Sequence, residues 1–322
     1  MSGLGLDIED NHLRMVSLVF AKTGLRLESF GEAVISREGL QYGRIKNPEI
    51  LAEVIKETWC GLRVRERKVT AAIPGAQALV RSITLPLMPV RELLRAARYH
   101  CRSVLPLPLD DVVVQVSGTR PNRDGYQEVT IVAARKTQVQ DLAVAIRLAG
   151  LEPSLIEIRP LAACRSLKLD EAPQVLLEAT DQSLHLAYFE KRHLLHVRST
   201  YLPGFTPIDR ESFMVHSVTP VALAGEHRYG QVLEELTSSL QYWSREGRSP
   251  LEPRRLLVTG SRLAYETMWA EKATPSWEVE WGNPLQPVES PPGLADEEKT
   301  RLEQSFAVAL GLAARGAAKN ER

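Results

Sequence analysis

An apolar strand of Leu4, Leu6 and Ile8 carries Asp7 just ahead of a polar turn, and a second strand sets Leu13, Met15 and Val19 against Arg14 and Ser17. Alternation on both sides of a turn predicts a β-hairpin at the head of the chain. Gly24–Ile35 continues as a third strand. Asn47-Pro48-Glu49 then has the signature of a helix start, with Asn47 as N-cap and Pro48 at the first helical position. Ile50, Leu51, Val54 and Ile55 recur at helical spacing behind it, and Lys68–Pro74 is a short buried strand. Strand, strand, strand, helix, strand make one α/β half-domain.

From about Gly75 the order changes. Ala78–Leu85 is a strand, and Pro89–Val104 is an amphipathic helix with Leu93, Leu94, Ala97 and Cys101 on one face. Asp111–Ser117 and Tyr126–Arg135 are strands joined by a turn-rich segment. Thr137–Ala149 is a helix closed by Gly150, and Ser154–Ile158 is a strand. The sum is a β-α-β-β-α-β module over 77–158, inserted into a first lobe of 1–76 and 159–172. A second lobe, 173–322, opens with its own meander: Gln174–Ala179, Ser183–Phe189 and Leu194–Ser199. Gly225–Glu246 is a long helix, Arg254–Thr259 a strand, Leu263–Glu271 a helix and Glu297–Ala314 the closing helix.

Composition narrows the function classes. The 322 residues carry 40 basic and 40 acidic side chains, so no global field draws the chain to nucleic acid. Cys60, Cys101 and Cys164 are isolated and odd in number, which suits a reducing compartment and three small buried hydrophobes. No charged-then-apolar leader and no run of eighteen apolar residues is present, so a cytoplasmic protein is expected, with any membrane association through a partner.

The opening, Gly5, Asp7, Ile8, Glu9, Asp10, Asn11, His12, Leu13 and Arg14, resembles that of the type IV pilus assembly protein PilM family, where the frame reads Gly-x-Asp-Ile-Gly-Ser-Ser-Ser-Val-Lys. Arg81-Ser-Ile-Thr-Leu-Pro86, Pro106-Leu-Pro-Leu-Asp110, Ala133-Ala-Arg-Lys136, Ala149-Gly-Leu-Glu-Pro153, Ser238-Ser-Leu-Gln-Tyr-Trp243, Glu278-Val-Glu-Trp-Gly-Asn-Pro284 and Ala307-Val-Ala-Leu-Gly-Leu-Ala-Ala-Arg315 extend the likeness along nearly the whole chain. The resemblance implies an α/β, actin-like (RNase H-like), two-lobed duplicated fold, with an inserted subdomain of the 1C (SHS2) type also found in the relative FtsA. It implies ATP with Mg²⁺ as the cofactor of an intact site.

That site would need glycine-rich turns, because backbone N–H groups approach phosphate oxygens only where no Cβ intervenes. Carboxylates would hold hydrated Mg²⁺. By the resemblance the site residues are Asp7, Arg14 (at a Lys position), Glu178 in the second hairpin, Gly204 and Gly260. The departures are large. Glu9 and Asp10 replace Gly and Ser, and at roughly 5 Å and an effective dielectric near 20 each carboxylate repels a phosphate charge by about 3 kcal/mol. Glu178-Ala-Thr180 lacks the second hairpin's Gly, Pro203 stands beside Gly204 without an N–H, and Gly260 is the one Gly left in Thr259-Gly260-Ser261-Arg262. An Asp at a strand end also serves to bond its own turn, and that reading of Asp7 outweighs a Mg²⁺ role. Nucleotide binding is therefore expected to be weak or lost.

The partner implied is the N-terminal cytoplasmic tail of a PilN-like bitopic membrane protein, held in a channel between insert and first lobe, with other pilus assembly proteins and self-association beside it. Arg81, Leu85, Pro86 and Met88 are the candidate contacts. Two rival readings are an active MgATP-binding actin-like ATPase and an FtsA-like membrane-tethered filament protein. The tail Gly316–Arg322 shows no apolar stripe, which counts against the second. His185, His193 and His196 suggest a metal site, but no carboxylate or Cys completes a ligand set, and solvated strand and turn histidines are expected. Arg63–Lys68 reads as a solvated connector rather than a nucleic-acid patch.

Overall fold

The computed structural model describes residues 2–73, 78–104, 108–121, 125–167, 169–180, 182–201, 221–246, 253–260 and 277–319. β1 (Ser2–Glu9), β2 (His12–Ala21) and β3 (Gly24–Val34) form an antiparallel meander. The small hairpin of β4 (Leu40–Gln41) and β5 (Arg44–Ile45) leads into α1 (Pro48–Leu62). Asn47 Oδ1 accepts the amides of Glu49 (2.9 Å) and Ile50 (3.2 Å), satisfying donors a helix start leaves open. β6 (Lys68–Ile73) then pairs parallel with β1.

β7 (Ala78–Pro86), α2 (Val90–Val104), β8 (Val112–Pro121) and β9 (Tyr126–Arg135) follow, and the three strands form a separate antiparallel sheet in the order β7-β9-β8. Ile83, Leu85, Val112, Val114, Val129 and Ile131 meet Leu93, Ala97 and Cys101 of α2 in a small core. α3 (Lys136–Leu148) and β10 (Glu152–Ile158) do not join that sheet. β10 pairs parallel with β6, and Leu142, Ala145 and Ile146 of α3 pack with Leu51 and Ile55 of α1. The six-element module expected over 77–158 is thus corrected to four elements. Helix and strand at its end return to the first sheet, because their apolar faces complete that core.

α4 (Arg159–Ser166) carries the chain to β11 (Gln174–Ala179), β12 (Ser183–Glu190) and β13 (His193–Tyr201), a second meander. α5 (Val221–Glu246) covers one face of it, burying Val232, Leu236, Leu240 and Trp243. β14 (Arg255–Gly260) and β15 (Glu278–Trp281) pair parallel alongside β11. The expected helix at 263–271 lies outside the described residues. Counted by position, the first five strands of each lobe's sheet lie in the order fifth, fourth, first, second, third, so the architecture is a duplication.

The end of the chain departs from the expected second lobe. β16 (Val288–Glu289) pairs with β3, and after α6 (Asp296–Ser305) the last helix, α7 (Ala307–Lys319), lies on β1 and β2 of the first lobe. Alternation explains its seat: Leu4, Leu6 and Ile8 point toward α1 and α3, while Gly3 and Gly5 present bare backbone to α7. A Cβ on Gly5 would lie 2.2 Å from the Ala309 carbonyl oxygen, and one on Gly311 would lie 1.8 Å from that of Ala162 in α4. Ala162, Ala163, Val308 and Leu312 fill the layer between the sheets together with Leu176, Phe189 and Leu257. Among the described residues no helix is long and apolar enough to cross a membrane.

Candidate functional site

The side of β1 that begins with Gly3 and Gly5 continues, two residues at a time, to Asp7 and Glu9. In the second lobe Leu176 is followed on the same side of β11 by Glu178. Both series end at the first residue of α4. The three carboxylates would repel one another in a dry interior, and a cation lies among them. Arg159, 3% exposed, donates from Nη1 to Asp7 Oδ1 and from Nη2 to Glu178 Oε1 (2.5 Å), and its Nε is 3.1 Å from Glu9 Oε2. One guanidinium therefore ties the first hairpin to the second. A cation at a helix N-terminus opposes the helix dipole, so the carboxylates must hold it there.

A second tie runs between the turns. Asp10, at φ 53°, accepts the Gln182 amide at Oδ2 (3.0 Å) and the Ser183 hydroxyl at Oδ1 (2.8 Å). His185, 4% exposed, has Nε2 3.1 Å from Glu9 Oε1 and Nδ1 2.8 Å from Ser199 Oγ. At the mouth Tyr42, in the β4–β5 turn, meets Tyr201 edge to face with centroids 4.9 Å apart. The cavity left between the hairpins is about 40 Å³, lined by Asp10, Tyr42, Ser183, His185, Ser199 and Tyr201. Drug-sized ligands occupy roughly 300 Å³ or more.

Burial sets the charge states. The Asp7 carboxyl is pushed up to about 6 by burial, which outweighs the opposing pull of Arg159; among the described residues its Oδ2 has no hydrogen-bond partner. Burial works against charge on Arg159 and His185 as well. The carboxylates around Arg159 hold it protonated, and Glu9 keeps the His185 pKa above its ordinary value.

The structure thus joins Asp7 and Glu178 through Arg159, with Arg14 opposite Asp7 on the neighbouring strand and Gly260 beside Ala179 at the end of the second sheet. Asp7 bonds neither its own turn nor an open cleft but a residue 152 positions away. Arg14, largely buried, pairs with Glu32 Oε1 at 2.8 Å and lies over the Phe306 ring. Gly260, at φ +105°, is required by its own sheet, since a Cβ there would lie 1.9 Å from the Ala179 carbonyl oxygen. Gly204 lies outside the described residues. Among the described residues no group of His, Cys, Asp or Glu is arranged to hold a metal ion.

His185 corrects the expectation of a solvated histidine; His193 is exposed and His196 stacks on Trp243 at 5.4 Å. Arg159 has no forecast in the sequence beyond marking a boundary. The signal was the surplus of carboxylates at two matching hairpin ends, which requires a cation.

Of the candidate partner contacts, Leu85 is 7% exposed and belongs to the core of the small sheet. Met88 is half-buried against that core, Pro86 is exposed with its carbonyl accepting Gln127 Nε2 (3.0 Å), and Arg81 donates to the Val80 carbonyl (2.9 Å).

The fold is the α/β actin-like one. A solved structure described as the PilM-PilN type IV pilus biogenesis complex contains a chain similar to this one at 27% identity and TM-score 0.79, with 98% of each chain covered. The cytoplasmic domain of EpsL, an inner-membrane component of the type II secretion system of Vibrio cholerae, is similar at 11% identity and TM-score 0.49, with 94% of each chain covered. A Bacteroides thetaiotaomicron protein with an actin-like ATPase fold is similar at 12% identity and TM-score 0.47, with 97% of this chain and 95% of that one covered. No curated protein matches. The family described as type IV pilus assembly protein PilM matches over residues 5–187, more than half of the sequence, and the chain belongs to that family.

Proposed function

We propose that this chain is a cytoplasmic adaptor of a type IV pilus assembly machine. It binds the N-terminal cytoplasmic tail of a PilN-like inner-membrane protein, which holds it at the inner face of the membrane, and its cleft no longer takes a nucleotide. Other pilus assembly proteins and further copies of the chain are additional partners in this reading. The single observation that carries it is Arg159 lying between the two hairpins. In an actin-like ATPase those hairpins bracket phosphates and a hydrated Mg²⁺, and here a tethered cation lies between their carboxylates. The direct Asp10 contact to Gln182 and Ser183 supports this reading, since it draws the two turns together. What remains for the protein to do is hold a surface in shape. Tail recognition is then the task of the small sheet with α2, with Arg81, Pro86 and Met88 as contacts and Leu85 supporting them from the core.

Calorimetric titration with MgATP tests the cleft. The expected result is no heat of binding for the native chain or for Asp7→Ala. Micromolar affinity lost on the Asp7 substitution would restore an active nucleotide site and overturn this part of the reading. Fluorescence anisotropy with the labelled cytoplasmic tail of the PilN-like protein tests the rest. Binding that Met88→Ala weakens about tenfold is expected, as for one well-buried interface contact, and absence of binding would overturn the adaptor role.

A further inference from the structure

The helix of the small sheet carries a feature that neither the cleft nor the tail-binding reading uses. Arg91, Arg95, Arg98 and Arg102 of α2 fall four, three and four residues apart, so they share one side of the helix. All four are exposed, opposite the buried Leu93, Ala97 and Cys101. With about 1.5 Å of rise per residue the row is about 16 Å long. Glu92, 3.9 Å from Arg91, is the one acidic residue of the helix. Among the described residues Arg95 and Arg98 have no ion pair, and Arg102 lies over the ring of Tyr99 at 5.6 Å. In a chain whose charges balance overall, this is a local field of one sign. Val90 and Tyr99, 84% and 74% exposed, stand on the same helix.

We infer that this face of α2 lies on an anionic phospholipid surface, a direct contact in addition to tethering by a partner. A helix standing out from a sheet is a convex ridge, which fits a plane better than it encloses a peptide. Guanidinium groups match lipid phosphates in two-point hydrogen bonds. An exposed tyrosine and valine beside a basic row suit the boundary between headgroups and acyl chains. Nucleic acid would use the arginines but leave Val90 without a role. A few arginines bind a membrane weakly and reversibly, and a tail anchored in the same bilayer raises their effective concentration.

The test is co-sedimentation of the full chain with vesicles of phosphatidylglycerol and phosphatidylcholine, and with vesicles of phosphatidylcholine alone. Binding to the first only, falling with added salt, is expected. Arg95→Gln with Arg98→Gln should weaken it about 25-fold, about fivefold for each arginine. Arg65→Gln with Arg67→Gln, in the other exposed basic run, should leave it unchanged. Equal binding to both vesicles, indifference to the α2 substitutions, equal damage by the control pair, or retention by duplex DNA in place of vesicles would each overturn the inference. No partner peptide is present, so its failure is distinguishable from failure of the adaptor reading.

Discussion

The cleft and the small inserted sheet solve opposite problems with the same side chains. In the cleft, one arginine is 3% exposed and surrounded by Asp7, Glu9 and Glu178. On α2, four arginines face outward with a single glutamate among them. Buried, the guanidinium is a structural cation whose removal strands three carboxylates. Exposed, it costs the fold nothing and remains available to a partner. The contrast separates a buried cation that holds the two hairpins together from exposed cations that the fold does not use. The first lies where actin-like ATPases have their cleft, and the second lie on the insert.

The largest effect should come from Arg159→Met, which leaves uncompensated charge in the interior. A loss of about 3–5 kcal/mol is expected in urea unfolding, with much of it restored by adding Asp7→Asn and Glu178→Gln. A loss under about 1 kcal/mol would show that the cleft is held by packing rather than by charge.

Next in size is pH. A carboxyl raised in the folded state favours folding while protonated, so the Asp7 contribution is complete below its unfolded value of 3.8 and is lost as pH rises through about 6. At about 1.4 kcal/mol per pKa unit the loss is about 3 kcal/mol. His185, also raised, works in the same direction: its contribution is complete below its ordinary value of 6.5 and fades as pH climbs through the higher folded value. Denaturation of the native chain and of Asp7→Asn at about pH 5 and pH 7.5 checks this. The native chain should be the more stable at the lower pH, and the variant should show a flatter profile. Identical profiles would remove Asp7 from the account.

Asp10→Ala should cost about 1–3 kcal/mol, because it leaves the Gln182 amide and the Ser183 hydroxyl without their partner. The smallest effect is expected on α2. Arg95→Gln with Arg98→Gln should leave stability within about 0.5 kcal/mol, and a larger loss would mean that the row is part of the fold.

Much of the fold was legible because its signals are local. The alternation of Leu4, Leu6 and Ile8, the Asn47-Pro48 start and the Gly150 stop each act within a few residues, and all three are seen. The allegiance of α3, β10 and α7 was not legible, since an apolar helix face does not say which sheet it covers. The cluster around Arg159 was legible in half. Asp7 and Glu178 could be placed by their hairpins, and the loss of glycines argued against phosphate. Arg159 lies 152 residues from Asp7, and nothing in its own neighbourhood distinguishes a buried cation from a surface one. Asp10 and His185 escaped for the same reason, as their partners belong to the other lobe.

The seat of α7 on Gly3 and Gly5 has a consequence for how the protein is made. A ribosome releases β1 long before it releases α7, the helix that covers one side of it. Until then that side of the first sheet is bare backbone beside apolar side chains, and the layer shared by the two lobes has no centre. The nascent chain must therefore wait, half assembled, until α7 has been made. In that interval the unfinished sheet carries exposed apolar surface, the condition under which partly folded chains misassemble.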